Sequence, residues 1–417
     1  MKVLLSAYSC EPGRGTEPGV GWNSAWEIAK FHEVWVLTRP DDGREAIEAE
    51  LARNPNPNLH FIYFNVPILG GMWHWGAIAF VVHYYLWQVQ AYFVARRLHK
   101  EIGFDVAHHV TFVRYSTPSF ISFLPIPFVW GPVGGGESAP DPFWQEFSFR
   151  NKVYEILRSA ARWFGERDPF AMMTARRSAV VRVTTPDTAK RVEKMGARDI
   201  EIFSESSLTK EEITRLRQVA GEHTSTIRFI SMGRLLHWKG FHLGLRAFAQ
   251  TGLTDAEYWI LGDGPERQSL ETLAQELGIA NQVKFIKRLP RDEALEKLGS
   301  STALVHPSLH DSGGWVCLEA MMAARPIICL NLGGTGMQVT PETGIKVDAI
   351  TPEQAVKDLA TAMVQLAKDP ERRTEMGKAG QFRVQELYNW DNRGQKISQL
   401  YESLVQAKTP QPELIRP

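Results

Sequence analysis

Short runs rich in β-branched and aromatic residues alternate with longer helical stretches along this chain, and the alternation runs through twice. The first series is VLLSAYS, EVWVLTR, HFIYFNV, FDVAHHV, PFVWGP and AVVRVTT, with helical patterns such as SAWEIAKF between them. From Thr224 it begins again with IRFISMG, EYWILGDGP, QVKFIKRL, TALVHPS and PIICLNLGG, interleaved with HLGLRAFAQ, RQSLETLAQELG and RDEALEKLGS. Apolar strands joined by helices predict parallel sheets covered on both faces. The expected fold class is therefore α/β, with two doubly wound domains in series. At 417 residues the chain also exceeds the size, roughly 250–300 residues, at which a single core stops growing.

The stretch IFSESSLTKEEITRLRQVAGEHTST is polar and has no strand pattern in its middle, so a hinge is expected near Ser204 to Thr226. It divides an N-terminal domain, residues 1–205, from a second domain, residues 206–390. Ligands of open α/β sheets bind at the carboxyl ends of the strands, so two such domains facing each other would form a cleft. The last residues, AKTPQPELIRP, read as a loose tail.

Charge narrows the function classes. Lys+Arg and Asp+Glu both number 47, which gives no basis for nucleic-acid binding or for general attraction to anionic membranes. Cys10, Cys317 and Cys329 are too scattered for a zinc or redox site, and a reducing cytoplasm is the simplest setting. The start, MKVLLSAYSC, turns polar and glycine-rich too soon for a signal peptide and reads as a buried first strand.

One segment resists that soluble picture. From Leu59 to Ala95 there is no Asp, Glu, Lys or Arg, and GGMWHWGAIAFVVHYYLWQVQAYFVARRLHK carries three tryptophans and a basic end. His74, His83, Gln88 and Gln90 interrupt it, which argues against a span of about 20 apolar residues. Two expectations stand. Residues 70–98 form a peripheral contact with the inner face of a membrane or a hydrophobic acceptor groove, or they are buried in the domain or a partner.

The loops after the strands carry the candidate chemistry. EPGRGTEPGVGW precedes a helix expected near Asn23, and a glycine loop before a helix N-terminus suits an anion, although ordinary turn glycines explain it as well. SMGRLLHWKGF sets Arg234 and Lys239 five residues apart after a strand, enough to grip two adjacent phosphates without a metal. ILGDGPE supplies a tight turn with Gly262 and Gly264. In HPSLHDSGGWVCLEAMM, Asp311 and Glu319 lie eight residues apart across a glycine turn, with Gly313 and Gly314 able to offer N–H groups and Glu319 able to accept both hydroxyls of a ribose. In FDVAHHV, His108 and His109 point to opposite faces of one strand, so only one is expected in the cleft. VWGPVGGGESAPDPFW places Gly135 and Glu137 where an acceptor would enter, Glu137 orienting a hydroxyl or else lying solvated in a turn.

Taken in order, the glycine loop, G-R-x4-K-G, G-x-G-P, and acid-x7-Glu before A-M-x-x-x-x-P resemble the retaining glycosyltransferases of family four. The resemblance covers nearly the whole chain and is strongest from Ser231 to Gly334. It implies the GT-B fold, two facing Rossmann-like domains, with a last helix at about 391–417 crossing back to the first. It also implies that Arg234 and Lys239 hold the donor diphosphate, that Glu319 binds the ribose, and that Gly313, Gly314 and Trp315 line the sugar and phosphates. Gly19 would stand close to the diphosphate, and Gly262 would belong to the donor site. Asp311 occupies the position of a family Glu associated with the donor sugar, one methylene shorter. FDVAHH is similar to the family's D-x-x-H strand end, which matches His108, whereas the face of His109 continues toward Thr111. The linker departs from the family's P-N-G-V-D and reads SESSLTKE.

What the resemblance implies is transfer of a sugar from a nucleoside diphosphate, uridine favoured, to a hydroxyl acceptor with retention, by front-face attack. The leaving phosphate would assist deprotonation of the acceptor. No cofactor is expected beyond the nucleotide sugar, and no metal, since no D-x-D stretch lies in a suitable loop. The tryptophan-rich segment favours a lipid-linked acceptor or a cell-surface glycan precursor. A GT-B epimerase or phosphorylase and a non-catalytic nucleotide-sugar binding protein remain alternatives, while a nicotinamide oxidoreductase is disfavoured because no G-x-G-x-x-G follows a strand.

Overall fold

The computed structural model describes residues 1–67, 71–221 and 226–408. Most of the C-terminal tail and part of the expected hinge lie outside them, as does residue 70 of the tryptophan-rich segment. Within the described residues the chain divides into two units. The first comprises Met1–Gly136, Ala160–Glu205 and the residues from Trp390 on; the second comprises Glu137–Ser159 and Ser206–Asn389.

The first unit is built on strands β1 (Lys2–Ser6), β2 (Glu33–Thr38), β3 (Leu59–Tyr63), β4 (Val106–His109), β5 (Phe128–Val133), β6 (Val180–Val183) and β7 (Ile200–Ile202). They pair in the order β3-β2-β1-β4-β5-β6-β7, and every pairing is parallel. The second unit uses β8 (Arg228–Met232), β9 (Glu257–Leu261), β10 (Val283–Ile286), β11 (Ala303–His306), β12 (Ile327–Leu330) and β13 (Gly344–Val347), ordered β10-β9-β8-β11-β12-β13, also all parallel. The order in which successive strands are added reverses between β1 and β4 in one sheet and between β8 and β11 in the other. The loops leaving β1 and β4, and those leaving β8 and β11, therefore diverge and open a crevice at the carboxyl edge.

Burial follows the strand pattern read from the sequence. Val3, Leu4 and Leu5 of β1 and Ala303, Leu304 and Val305 of β11 are fully buried, as strands covered on both faces must be. The tryptophan-rich segment forms a 26-residue helix, Ala77–Ile102. Two of its polar interruptions face inward: His83 pairs through Nδ1 with the Tyr8 hydroxyl at 2.8 Å and through Nε2 with Asn65 Oδ1 at 3.0 Å, and Gln88 is buried beside Trp87, whereas Gln90 is half-buried and His74, ahead of the helix, is exposed. Ile78, Val81, Val82, Leu86 and Phe93 face outward. Among the described residues no helix is long and apolar enough to cross a membrane.

Three features depart from the sequence reading. The first helix starts at Glu17 rather than near Asn23, with Pro18 in its first turn, because proline there costs no hydrogen bond. Residues 137–159, read as part of the N-terminal domain, pack with the second unit. The terminal helical pattern is broken at Tyr388 and Asn389 into helices Pro370–Leu387 and Trp390–Lys408, the latter in the first unit with Ile397 and Tyr401 buried against the helix and strands there. All three cysteines are buried and free.

Candidate donor site at the edge of the second sheet

The loop leaving β8 and the loop leaving β11 are stitched across the switch point. Leu309 N donates to Trp238 O at 2.8 Å, and Gly240 approaches Pro307 so closely that a Cβ would stand 2.0 Å from its carbonyl oxygen. Between them Lys239 Nζ lies 2.5 Å from Asp311 Oδ2, both side chains about one-fifth exposed. His306, the last residue of β11, reaches the same oxygen at 3.2 Å, while Oδ1 faces the N–H groups of Gly313 and Gly314 at 3.4 and 3.5 Å. Burial alone would push the Asp311 carboxyl up; the Lys239 charge and the His306 bond outweigh it and hold Asp311 well below the usual carboxylate range. Arg234 stands exposed at the mouth of the same loop and forms no ion pair with a described residue. Fixed cations and N–H groups thus meet at the carboxyl edge of the sheet, which suits an anion.

The glycines hold this arrangement in different ways. Gly314 has φ +55° at the start of the helix Trp315–Met322, and a Cβ there would meet Gln338 Oε1 at 2.5 Å; the Gln338 amide donates to Gly313 O at 2.5 Å. Gly262 has φ +144°, and a Cβ would fall 1.9 Å from Gly233 O, so its place is to let the loop after β9 pack against the loop after β8. Glu319 lies in the helix Trp315–Met322 and is nearly buried, with Oε1 2.9 Å from Arg291, which also holds Glu212 at 2.8 Å. Burial raises the Glu319 carboxyl and Arg291 opposes that shift. Trp315 opens the helix, half-buried against the core behind it.

A residue absent from the sequence reading joins the two loops. Glu155, on the helix Phe149–Glu166, has a buried carboxylate whose Oε1 lies 3.0 Å from His237 Nε2 and 3.4 Å from His310 Nε2, with Arg158 at 3.3 Å. His237 sits between Arg234 and Lys239, and His310 precedes Asp311. Beside this cluster Trp238 is stacked between Tyr154, at 5.5 Å and 9°, and His310, at 5.2 Å and 16°. Burial opposes ionisation of Glu155, but its two histidine partners and Arg158 hold the carboxyl well below its ordinary range. No local signal marks Glu155, because its partners are 82 and 155 residues away.

Of the remaining candidates, Gly19, His108, His109 and Gly135 belong to the first unit and Glu137 to the second. His108 accepts from the Tyr401 hydroxyl at Nδ1, 2.5 Å, and donates from Nε2 to Gly131 O at 2.7 Å; His109 donates from Nε2 to Thr111 O at 3.1 Å. Both rings are fully buried, and burial lowers each to about 3, so they are neutral at ordinary pH. They point to opposite faces of β4 as alternation requires, but neither presents a nitrogen at the surface. Gly19, in the first turn of the helix Glu17–Ile28, lies where a Cβ would be 2.0 Å from Arg14 O. Gly135 and Glu137 fall in different units: Gly135 O accepts from Arg162, and Glu137 is buried, with its carbonyl taking Arg158 at 2.9 Å. Of the two readings of Glu137, the solvated turn acid does not hold, since the residue is buried.

Comparison with known proteins bears on the same segment. Residues 212–383 match the family model described as glycosyl transferases group 1. A D-inositol 3-phosphate glycosyltransferase of Corynebacterium urealyticum is 31% identical over 217 residues, 49% of each chain. A lipopolysaccharide core biosynthesis glycosyltransferase, LpsD, of Rhizobium meliloti is 30% identical over 198 residues, 47% of this chain and 55% of that one. The chain spans about half the length of these curated relatives. Among solved structures, sucrose-phosphate synthase from Thermosynechococcus elongatus superimposes with a TM-score of 0.65 at 18% identity over 98% of this chain and all of that one. Anabaena HepE in complex with UDP and glucose gives 0.61 at 17% over 97% and 100%. At these identities the likeness concerns the fold, and the fold is GT-B, as the sequence motifs led one to expect.

Proposed function

We propose that this chain, whose second unit carries the group 1 glycosyl transferase pattern, is a retaining glycosyltransferase that moves a hexose from a nucleoside-diphosphate sugar to a hydroxyl acceptor. The observation that carries the reading is the Lys239–Asp311 pair at the switch point of the second sheet, with Arg234 beside it and within the matched residues. Lys239 and Arg234 stabilise charge as it grows on the leaving diphosphate, the task for which preorganised cations in a poorly hydrated site are most effective. With two cations for two phosphates no metal is required, and the reaction proceeds in chelator. Gly313 and Gly314 present N–H groups to the sugar or phosphate, Trp315 lines the same wall, Asp311 holds Lys239 and reads the donor sugar, and Glu319 receives the ribose hydroxyls.

Uridine is the favoured base. HepE, a fold neighbour, was solved with UDP and glucose, and this supports the choice without deciding it. The acceptor is a lipid-linked or cell-surface glycan precursor, in keeping with names among the relatives such as lipopolysaccharide core biosynthesis glycosyltransferase. The outward stripe Ile78, Val81, Val82, Leu86 and Phe93 supports a peripheral contact with the inner face of a membrane. The experiment is a thermal-shift and calorimetric panel of UDP, GDP, ADP, dTDP and NAD, with and without EDTA, on the protein and on Lys239→Ala. The expected result is one nucleoside diphosphate bound without metal and weakened roughly 10- to 100-fold in the variant, the span of one lost bond to a charged group. Binding of NAD alone, or of nothing, would sink the reading.

A further inference from the structure

The helix Phe149–Glu166 is amphipathic with its sides reversed. Its charged side faces the protein: Glu155 is buried against His237 and His310, and Arg162 is buried with its guanidinium on Gly135 O. Its apolar side faces out. Phe149 is 84% exposed, Ile156 57%, Leu157 64%, Trp163 51% and Phe164 68%, and their spacing sets them along one side of the helix. A helix serving only to cover a core buries the opposite side, and an apolar strip this large left in water marks a surface that meets something.

The charge at its margin says what. Arg150 and Arg167 are exposed at the two ends, while the helix's two acids are Glu155, buried, and Glu166, paired with Arg191. The Arg167 guanidinium lies 3.9 Å over the Trp163 ring, an amphipathic pair of the kind that settles at headgroup level. Two copies joined antiparallel by this face would set Arg150 of one near Arg167 of the other, like charge against like. We propose that this helix lies in the plane of an anionic membrane surface, with its outward face among the acyl chains and its arginines on lipid phosphates. This goes beyond the contact through residues 70–98 and holds whether or not the chain transfers sugar.

The test is flotation of the full-length protein with vesicles of phosphatidylcholine alone and of equimolar phosphatidylcholine and phosphatidylglycerol. It is repeated on Leu157→Ser/Phe164→Ser and, separately, on Val81→Ser/Val82→Ser. The outward side chains touch little protein, so thermal melts of both variants should match the parent and keep the comparison interpretable. The expected result is binding to the anionic vesicles, at least about tenfold weaker in Leu157→Ser/Phe164→Ser. Four results would overturn it: no binding by the parent, equal binding to phosphatidylcholine alone, undiminished binding by Leu157→Ser/Phe164→Ser, or a concentration-dependent dimer that this variant abolishes. The last would assign the face to a second copy. Loss confined to Val81→Ser/Val82→Ser would return the contact to the other helix.

Discussion

At the scale of single residues, the pairing of Asp311 with Lys239 sets a direction that can be measured. On the proposed reading, donor phosphate and the Asp311 carboxylate compete for one ammonium, so Asp311→Asn is expected to bind nucleoside diphosphate at least as tightly as the parent while transfer falls by about 100-fold, the cost of one misplaced electrostatic group. Calorimetry and initial rates, taken together, check it. His108 and His109 make a second case. Each titrates at about 3 in the folded state against about 6.5 when exposed, so below pH 6.5 the unfolded chain binds protons that the folded one refuses. Stability contributed by the two rings is thus present above pH 6.5 and lost as pH falls toward 3, by up to about 1.4 kcal/mol per pH unit for each. Urea unfolding at pH 7, 6 and 5 should show this slope in the first unit, and His109→Gln should lessen it. The pair of histidines was legible as a strand end with two faces. Their occupation by Tyr401, Gly131 and Thr111 was not, since Tyr401 lies 293 residues from His108.

Among elements, the strands and their ends were the most legible part, because apolar runs too long for a half-exposed strand have one explanation in a chain of this size. The loops that follow β8 and β11 could be named from Arg234, Lys239 and Asp311 before any geometry was known. The helix Phe149–Glu166 could not. Its sequence shows helical periodicity, but periodicity alone does not say which face turns inward, and here it is the charged one. Glu155 makes this helix a brace for the loops after β8 and β11, through His237 on one and His310 on the other. Glu155→Gln keeps the shape and removes the charge that both histidines share. It should weaken nucleoside-diphosphate binding about tenfold through looser loops, with Glu155→Asp retaining part of it. Calorimetric titration of the three proteins decides the matter, and equal affinity in all three would reduce Glu155 to packing.

For the whole molecule, the chain passes from one unit to the other four times, at residues 136, 159, 205 and 389, so neither unit is a continuous stretch of sequence. A sequence reading that looks for one hinge finds the crossing at 205 and has no means of finding those at 136 and 159, where the strand and helix pattern continues unbroken. The consequence for stability is specific. A chain ending at Asn389 lacks Ile397 and Tyr401, both buried in the first unit, and leaves His108 Nδ1 without its hydroxyl. Losses of about 2–5 kcal/mol for each large buried side chain should unfold the first unit at lower urea while nucleoside-diphosphate binding by the second persists. Two transitions moving apart in a urea titration would show it. The cysteines add a different use of the same division. Cys10 belongs to the first unit, Cys317 and Cys329 to the second, and burial raises all three thiols and shields them from reagent. A thiol label added to the native protein would therefore keep time on each half separately, one mass increment marking the moment the first half opens and a double increment the second.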